Sequence, residues 1–233
     1  MKCVWEHHGD DTLLYSVECI GAYTRGENLS VAMAKMEAEI RAYSAWKGQG
    51  EAAETTVEIV QEKSSSLQIA DADSDVIFDT EYAPLIREEY EELKALVLHS
   101  AHDFYALYTS VSDKHQSCMQ PRETFYGRVP RTAEEMYLHT KNVNAYYFGE
   151  IGVAADNEGT IYECRKRGFE LLEKTEDFLN HPVTEGSYAE LWSLRKLMRR
   201  FLWHDRIHAK AMYRMALRTF GACGAENVFK FLL

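Results

Sequence analysis

Between residues 84 and 220 the chain repeats one pattern: four long segments whose apolar residues recur every three or four positions, separated by polar loops. A chain of this kind must bury four amphipathic stripes against one another. Loops of short to medium length then favour an up-and-down four-helix bundle with antiparallel neighbours.

The first segment, 85–110, carries Leu85, Tyr90, Leu93, Leu96, Val97, Phe104, Leu107 and Tyr108, with Pro84 suited to a first helical turn and acids near the start. After a polar loop at 112–128, the second opens at Thr132, which forms a capping box with Glu135, and runs to about Phe148 before Gly149 or Gly152. The third, 160–179, holds Tyr162, Phe169, Leu172 and Phe178 and stops at Asn180-His181-Pro182. The fourth is predicted from Ser187, with Glu190 repeating the capping box, to Phe220 ahead of Gly221.

Residues 1–80 read as mixed structure. Segments 1–7 and 13–20 have strand-like apolar content and flank the turn sequence His8-Gly9-Asp10-Asp11, which predicts a hairpin. A helix follows over 29–46, started near Glu27 or Asn28 and closed by Gly48, with Val31, Ala34, Ala38, Ala42 and Ala45 as a small-residue face. Alternation at 55–60 predicts a half-buried strand, and 64–69 and 76–78 are two shorter strand candidates. The expected fold class is α+β: a small ββαβ-type domain at 1–80, a four-helix bundle at 84–220 and a tail at 221–233. The acidic stretch 71–81 marks the boundary.

A net charge of −11 and a pI near 5.3 argue against a broad nucleic-acid surface, which concentrates Lys and Arg to release counterions. The basic exceptions, Arg165-Lys166-Arg167 and Arg195, Lys196, Arg199 and Arg200, lie on helical patterns rich in Glu and read as solvated faces. Five cysteines without a close pair suggest neither a disulfide framework nor a thiolate metal site. No basic segment leads into an apolar run at the start, and no stretch approaches the roughly 18 apolar residues of a membrane span. A soluble cytoplasmic protein with reduced thiols is expected.

His204 and His208 stand four apart in WHDRIHAK, so both imidazoles lie on one helix face, one turn apart. The stripe Leu194, Leu197, Met198, Phe201, His204, His208, Ala211, Met212 and Met215 turns that face into the bundle. On the second segment, Met136, His139, Val143, Tyr146 and Tyr147 bring a third histidine inward. Any one inward histidine is more ordinarily a core residue bonded to a Tyr or a carbonyl. Three from two helices favour a shared metal ion. Three neutral imidazoles suit Zn²⁺, Ni²⁺, Fe²⁺ or Cu²⁺ and leave coordination positions open for water or substrate. Asp205 falls off the stripe and reads as solvent-facing or as support for the ligands. Tyr137, Tyr146, Tyr147 and Trp203 are candidate pocket or core aromatics. Arg128 and Arg131 precede the second helix, where they either receive an anion or are exposed loop residues. His99 and His102 read as structural or exposed, and no cysteine looks activated.

The segments RTAEEMYLHTKNVNAYYFGEI and FLWHDRIHAKAM carry a resemblance. Residues 84–220 resemble the DinB-like bundle superfamily, whose relatives include bacillithiol and mycothiol transferases and mycothiol-dependent maleylpyruvate isomerase. The resemblance implies that His139, His204 and His208 ligate a divalent metal, Zn, Ni or Fe, which activates a low-molecular-weight thiol or water toward a small electrophile. It also implies a homodimer. The segment VECIGAYTRGENLSVAMAKMEAEIRAYSAW is similar to HicB-like antitoxin domains, in which a strand, a turn of the form G-x-x-T-x-G and an Ala-rich helix recur. From it comes a competing expectation: a non-enzymatic regulatory protein whose first domain engages a partner.

Overall fold

A computed structural model describes residues 1–50, 56–124 and 127–232. Strand β1 (Lys2–His8) turns back into β2 (Asp11–Ser16) through Gly9, whose φ of +58° favours a residue without a side chain. Strand β3 (Tyr23–Gly26) pairs antiparallel with β2, helix α1 (Leu29–Trp46) crosses over, and β4 (Glu58–Ser64) pairs parallel with β1. The sheet order is β3-β2-β1-β4. The architecture is thus a small sheet with one helix packed on β2 and β3, followed by a helical half.

Three sequence expectations for this half are corrected. The second strand ends at Ser16, and a further strand, β3, occupies the residues read as a G-x-x-T-x-G turn. The buried face of α1 is Ala32, Met36, Ile40, Tyr43 and Trp46, while Ala34 and Ala45 are exposed. Large apolar side chains remove more surface from water than alanines do, so they decide which face turns inward. Neither 64–69 nor 76–78 adds a sheet strand: Ile69–Asp71 is one 3₁₀ turn, and 74–76 is claimed by cations. The carbonyls of Ser74, Asp75 and Val76 accept from Arg200, Lys196 and Arg199, each at 2.7 Å, in place of a strand partner. Of the strand expected over 55–60, Thr55 lies outside the described residues.

The helical half comprises α2 (Arg87–Ser110), α3 (Ala133–Glu150), α4 (Ile161–Leu172) and α5 (Leu194–Phe220). Helix α2 packs against α3, α4 and α5, and α3 packs against α4 and α5. Caps at Thr132 and Thr160 start α3 and α4, each with its glutamate three residues on. Two boundaries differ from expectation. The last helix starts at Leu194, with the Ser193 hydroxyl accepting from the Lys196 N–H at 3.1 Å; Ser187 instead sits in a short 3₁₀ turn, where positive φ at Tyr188 and Ala189 prevents a helix from propagating. Helix α4 ends at Leu172, and Asp177 at φ +53° separates it from the 3₁₀ turn Phe178–Asn180. Pro84 precedes α2, whose first helical residue is Arg87. Among the described residues, no helix is long and apolar enough to cross a membrane.

One hydrophobic cluster runs from Cys3, Leu14, Met36 and Tyr43 through Val97, Phe104, Phe148 and Phe201 to Phe229 and Phe231. The reason lies on α5, which is buried around most of its circumference. Besides the apolar stripe, it has a second face at Lys196, Arg199, Trp203, Arg206 and Lys210, again at helical spacing, and this face meets residues 1–83. Arg199 donates to Glu81 at 2.5 Å, while Arg206 and Lys210 converge on Glu39 at 2.7 and 2.6 Å. Gly21 makes the contact close: a Cβ there would stand 2.5 Å from Leu202 Cβ. The basic residues of α5 read as solvated are therefore largely buried, as is Arg165; each has a carboxylate or carbonyl partner that sequence spacing does not reveal.

Candidate metal centre

Helix α3 carries His139 and α5 carries His204 and His208, and the packing of α3 on α5 brings the three rings together. Ring centroids stand 4.4 Å apart for His204 and His208, 4.6 Å for His139 and His208, and 5.2 Å for His139 and His204. One nitrogen from each ring lies within 4.8 Å of the others. His204 is buried, His208 half-buried and His139 on the exposed rim, so the cluster opens on the His139 side. The sequence expectation of His139 as an inward residue is thereby refined: the buried face of α3 is Met136, Tyr137, Thr140, Asn144 and Tyr147, with His139 at its edge.

Burial and neighbouring imidazoles disfavour the protonated rings. Burial, then His208 and His139, holds His204 well below the ordinary histidine value, and burial lowers His139 as well. For His208, burial followed by His139 brings the value down to about 3. Neutral imidazoles at pH 7 are the form that ligates a metal. The Nδ1 of His204 is buried without a hydrogen-bond partner among the described residues, an open valence of the kind an ion or an ordered water satisfies. A donor set of three neutral nitrogens with one buried orphan fits a borderline divalent cation.

Around the triad, Tyr147 stands edge-on to His204 at 5.9 Å, its ring also against Phe201 and Trp192. The other candidate aromatics lie elsewhere. Tyr137 stacks on Tyr108 at 4.3 Å and accepts from the Ile161 N–H, Tyr146 packs on Trp192, and Trp203 sits among Tyr15 and Tyr23 below the sheet. Asp205 is fully buried, contrary to a solvent-facing reading. It accepts from both terminal nitrogens of Arg165 at 2.6 and 3.1 Å and from Ser100 at 2.7 Å. A residue next to His204 is turned about 100° round the helix, which here faces α2 and α4 rather than water. This network ties three helices beside the triad. No sequence signal singled out Ser100, and Arg165 stood out only as one of three consecutive basic residues.

His99 stacks on Trp46 at 5.2 Å and His102 is exposed beside Asp103, so neither belongs to the centre. All five cysteines are free. Burial pushes the Cys3 thiol up to about 12 and raises Cys19 and Cys164, so these three thiols are the reverse of activated.

No family model matches the chain, and neither a curated protein nor a solved structure matches it.

Proposed function

We propose that this protein is a divalent-metal protein of the DinB-like bundle type, with zinc, nickel or iron(II) held by His139, His204 and His208. Bound there, the ion would supply Lewis acidity that lowers the pKa of a coordinated thiol or water and directs it at a small electrophile, giving S-transfer, isomerisation or hydrolysis. The observation that carries the reading is the convergence of three neutral imidazoles from two helices, with His139 at the exposed rim. The chain's own residues divide the remaining work. Tyr147 and Phe201 keep the inner side dry, and Asp205 with Arg165 and Ser100 holds α5 in register with α2 and α4. Burial raises the thiols of Cys3, Cys19 and Cys164, and the nucleophile in this reading is a small-molecule thiol or water.

The test is titration of metal-stripped protein with Zn²⁺, Ni²⁺ and Fe²⁺, followed by an assay of thiol conjugation to a generic electrophile. One ion per chain, and conjugation that disappears in His208→Ala, are expected. Failure to take up any of these ions at neutral pH would return the three histidines to the core. The second reading is a non-enzymatic protein whose segment 1–80, joined to α5 through Glu39, engages a partner.

A further inference from the structure

His139 faces a cavity of about 590 Å³ whose wall is unusual for a chain of net charge −11. Arg122, Arg128 and Arg131 line it together, with Glu123 and Glu135 as the acids. The arginines arrive from separate stretches: Arg122 from the loop after α2, Arg128 from the end of the two-residue strand pair Glu123–Thr124 and Gly127–Arg128, and Arg131 from just before the cap of α3. Glu135 is already engaged. Its carboxylate accepts from the N–H groups of Arg131 and Thr132 at 2.9 and 3.1 Å. Arg122 is paired with Asp71. Neither Arg128 nor Arg131 is in an ion pair with a described residue; the side-chain bond of Arg131 goes to the Met119 carbonyl at 3.3 Å. Neither guanidinium is held in a close ion pair, although both lie near enough to Glu135 for their charge to help hold its carboxyl low, behind the N–H bonds it accepts.

The wall has a direction. Glu135, Leu138 and His139 fall at i, i+3 and i+4 on α3, so one helix face leads from the arginine end to the histidine end. From the start of α3 at Ala133 to His139 is about 9 Å at the rise of an α-helix.

We infer that this cavity is the binding site for an elongated small molecule with an oxyanion at one end, gripped by Arg128 and Arg131, and its reacting group at the other, presented to the His139–His204–His208 centre. This rests on the metal reading above and adds the substrate class. Guanidinium forks suit carboxylate and phosphate alike. The probes for the full-length protein are chosen for that span. In the zinc-loaded protein, 6-mercaptohexanoate binds at least about tenfold tighter than 6-mercapto-1-hexanol, and Arg128→Gln with Arg131→Gln removes the preference while leaving the neutral thiol's affinity unchanged. In the metal-stripped protein, glutarate and inorganic phosphate are titrated without any thiol; binding of either that weakens with salt and is lost in the double variant supports the anion end independently of metal, and the better of the two identifies the oxyanion. Arg128 is exposed, so Arg128→Gln alone carries the test should the double variant misfold. Equal affinity of the two thiols in loaded wild-type protein, or anion binding unchanged in the variants, overturns the inference. Loss of zinc uptake with intact anion binding would overturn the metal reading alone.

Discussion

Arg206, midway between His204 and His208 in sequence, donates from Nε and a terminal nitrogen to the same oxygen of Glu39 on α1, at 2.9 and 2.7 Å, with both side chains buried. The other Glu39 oxygen accepts from Lys210 at 2.6 Å. Burial alone would raise the Glu39 carboxyl, but Arg206 and Lys210 outweigh it and hold the group below its usual range. The two histidines of α5 are thus carried by a helix whose opposite face is fixed to the N-terminal half.

Glu39→Gln removes the charge that compensates a fully buried guanidinium. Breaking one side of a buried pair costs about 3–5 kcal/mol, because the remaining charge keeps its desolvation penalty. Urea denaturation should show a loss of that order. Glu37→Gln, whose partner Arg41 lies on the same exposed helix surface, should change stability by less than about 0.5 kcal/mol.

Removal of residues 1–82 strips the partners from Arg199, Arg206 and Lys210 and bares the apolar surface under Tyr43 and Trp46. The four helices should then lose fixed packing. The expected product keeps far-UV helical ellipticity but loses near-UV signal and binds a hydrophobic dye. A monodisperse fragment with native near-UV spectra would show that α2–α5 fold alone.

Asp205→Asn leaves Arg165 charged and buried at the junction of α2, α4 and α5. A stability loss of about 3–5 kcal/mol is expected, with one metal still bound per folded chain, since Asp205 contributes none of the three nitrogens. The measurement is chemical denaturation paired with metal stoichiometry.

In the metal-free protein, stability should fall with acid. His208 binds its proton at about 3 when folded, against roughly 6.5 for an unperturbed histidine. The unfolded chain therefore takes up the proton first. Its contribution is complete above pH ~6.5, declines by up to about 1.4 kcal/mol per pH unit below that, and levels off near pH ~3. His139 and His204 act in the same direction. Buried Glu6, whose carboxyl burial raises, acts in the opposite sense, its contribution being lost as pH rises from the unfolded value through the raised folded one. The comparison that isolates the histidine is wild type against His208→Gln at pH 7.5 and 5, where the variant should have the shallower slope.

What was legible in the sequence follows the range of the interactions involved. Helical periodicity and local caps located α1 and α3 and the direction in which His204 and His208 point, because those signals are complete within a few residues. The start of α5 was misread, since Ser187-x-x-Glu190 imitates a cap whose helix is blocked only by the backbone at Tyr188 and Ala189. The charges on α5 were misread for a different reason. Lys196, Arg199 and Arg200 look solvated until Glu190, Glu81 and the Ser74 carbonyl are brought to them across as many as 126 residues of chain. His139 was found, but not its rim position, which depends on how far α3 rolls against α5.

The last prediction concerns the centre itself. If the three histidines share one ion, His208→Ala removes the ring whose centroid is nearest to both others and leaves two donors, so zinc affinity should fall by orders of magnitude. His139→Ala should weaken binding as well, but with little cost to folding, because that ring lies at the exposed rim. Zinc should raise the wild-type unfolding free energy by an amount that grows with its free concentration, about 2.7 kcal/mol at one hundred times Kd, since it binds the folded state preferentially. The zinc-dependent increment should vanish in His208→Ala at the same concentrations. Isothermal titration and thermal melts at matched free zinc measure both quantities. An increment that survives in His208→Ala and His139→Ala alike would place the bound ion elsewhere and leave this cluster as three neutral histidines packed between α3 and α5.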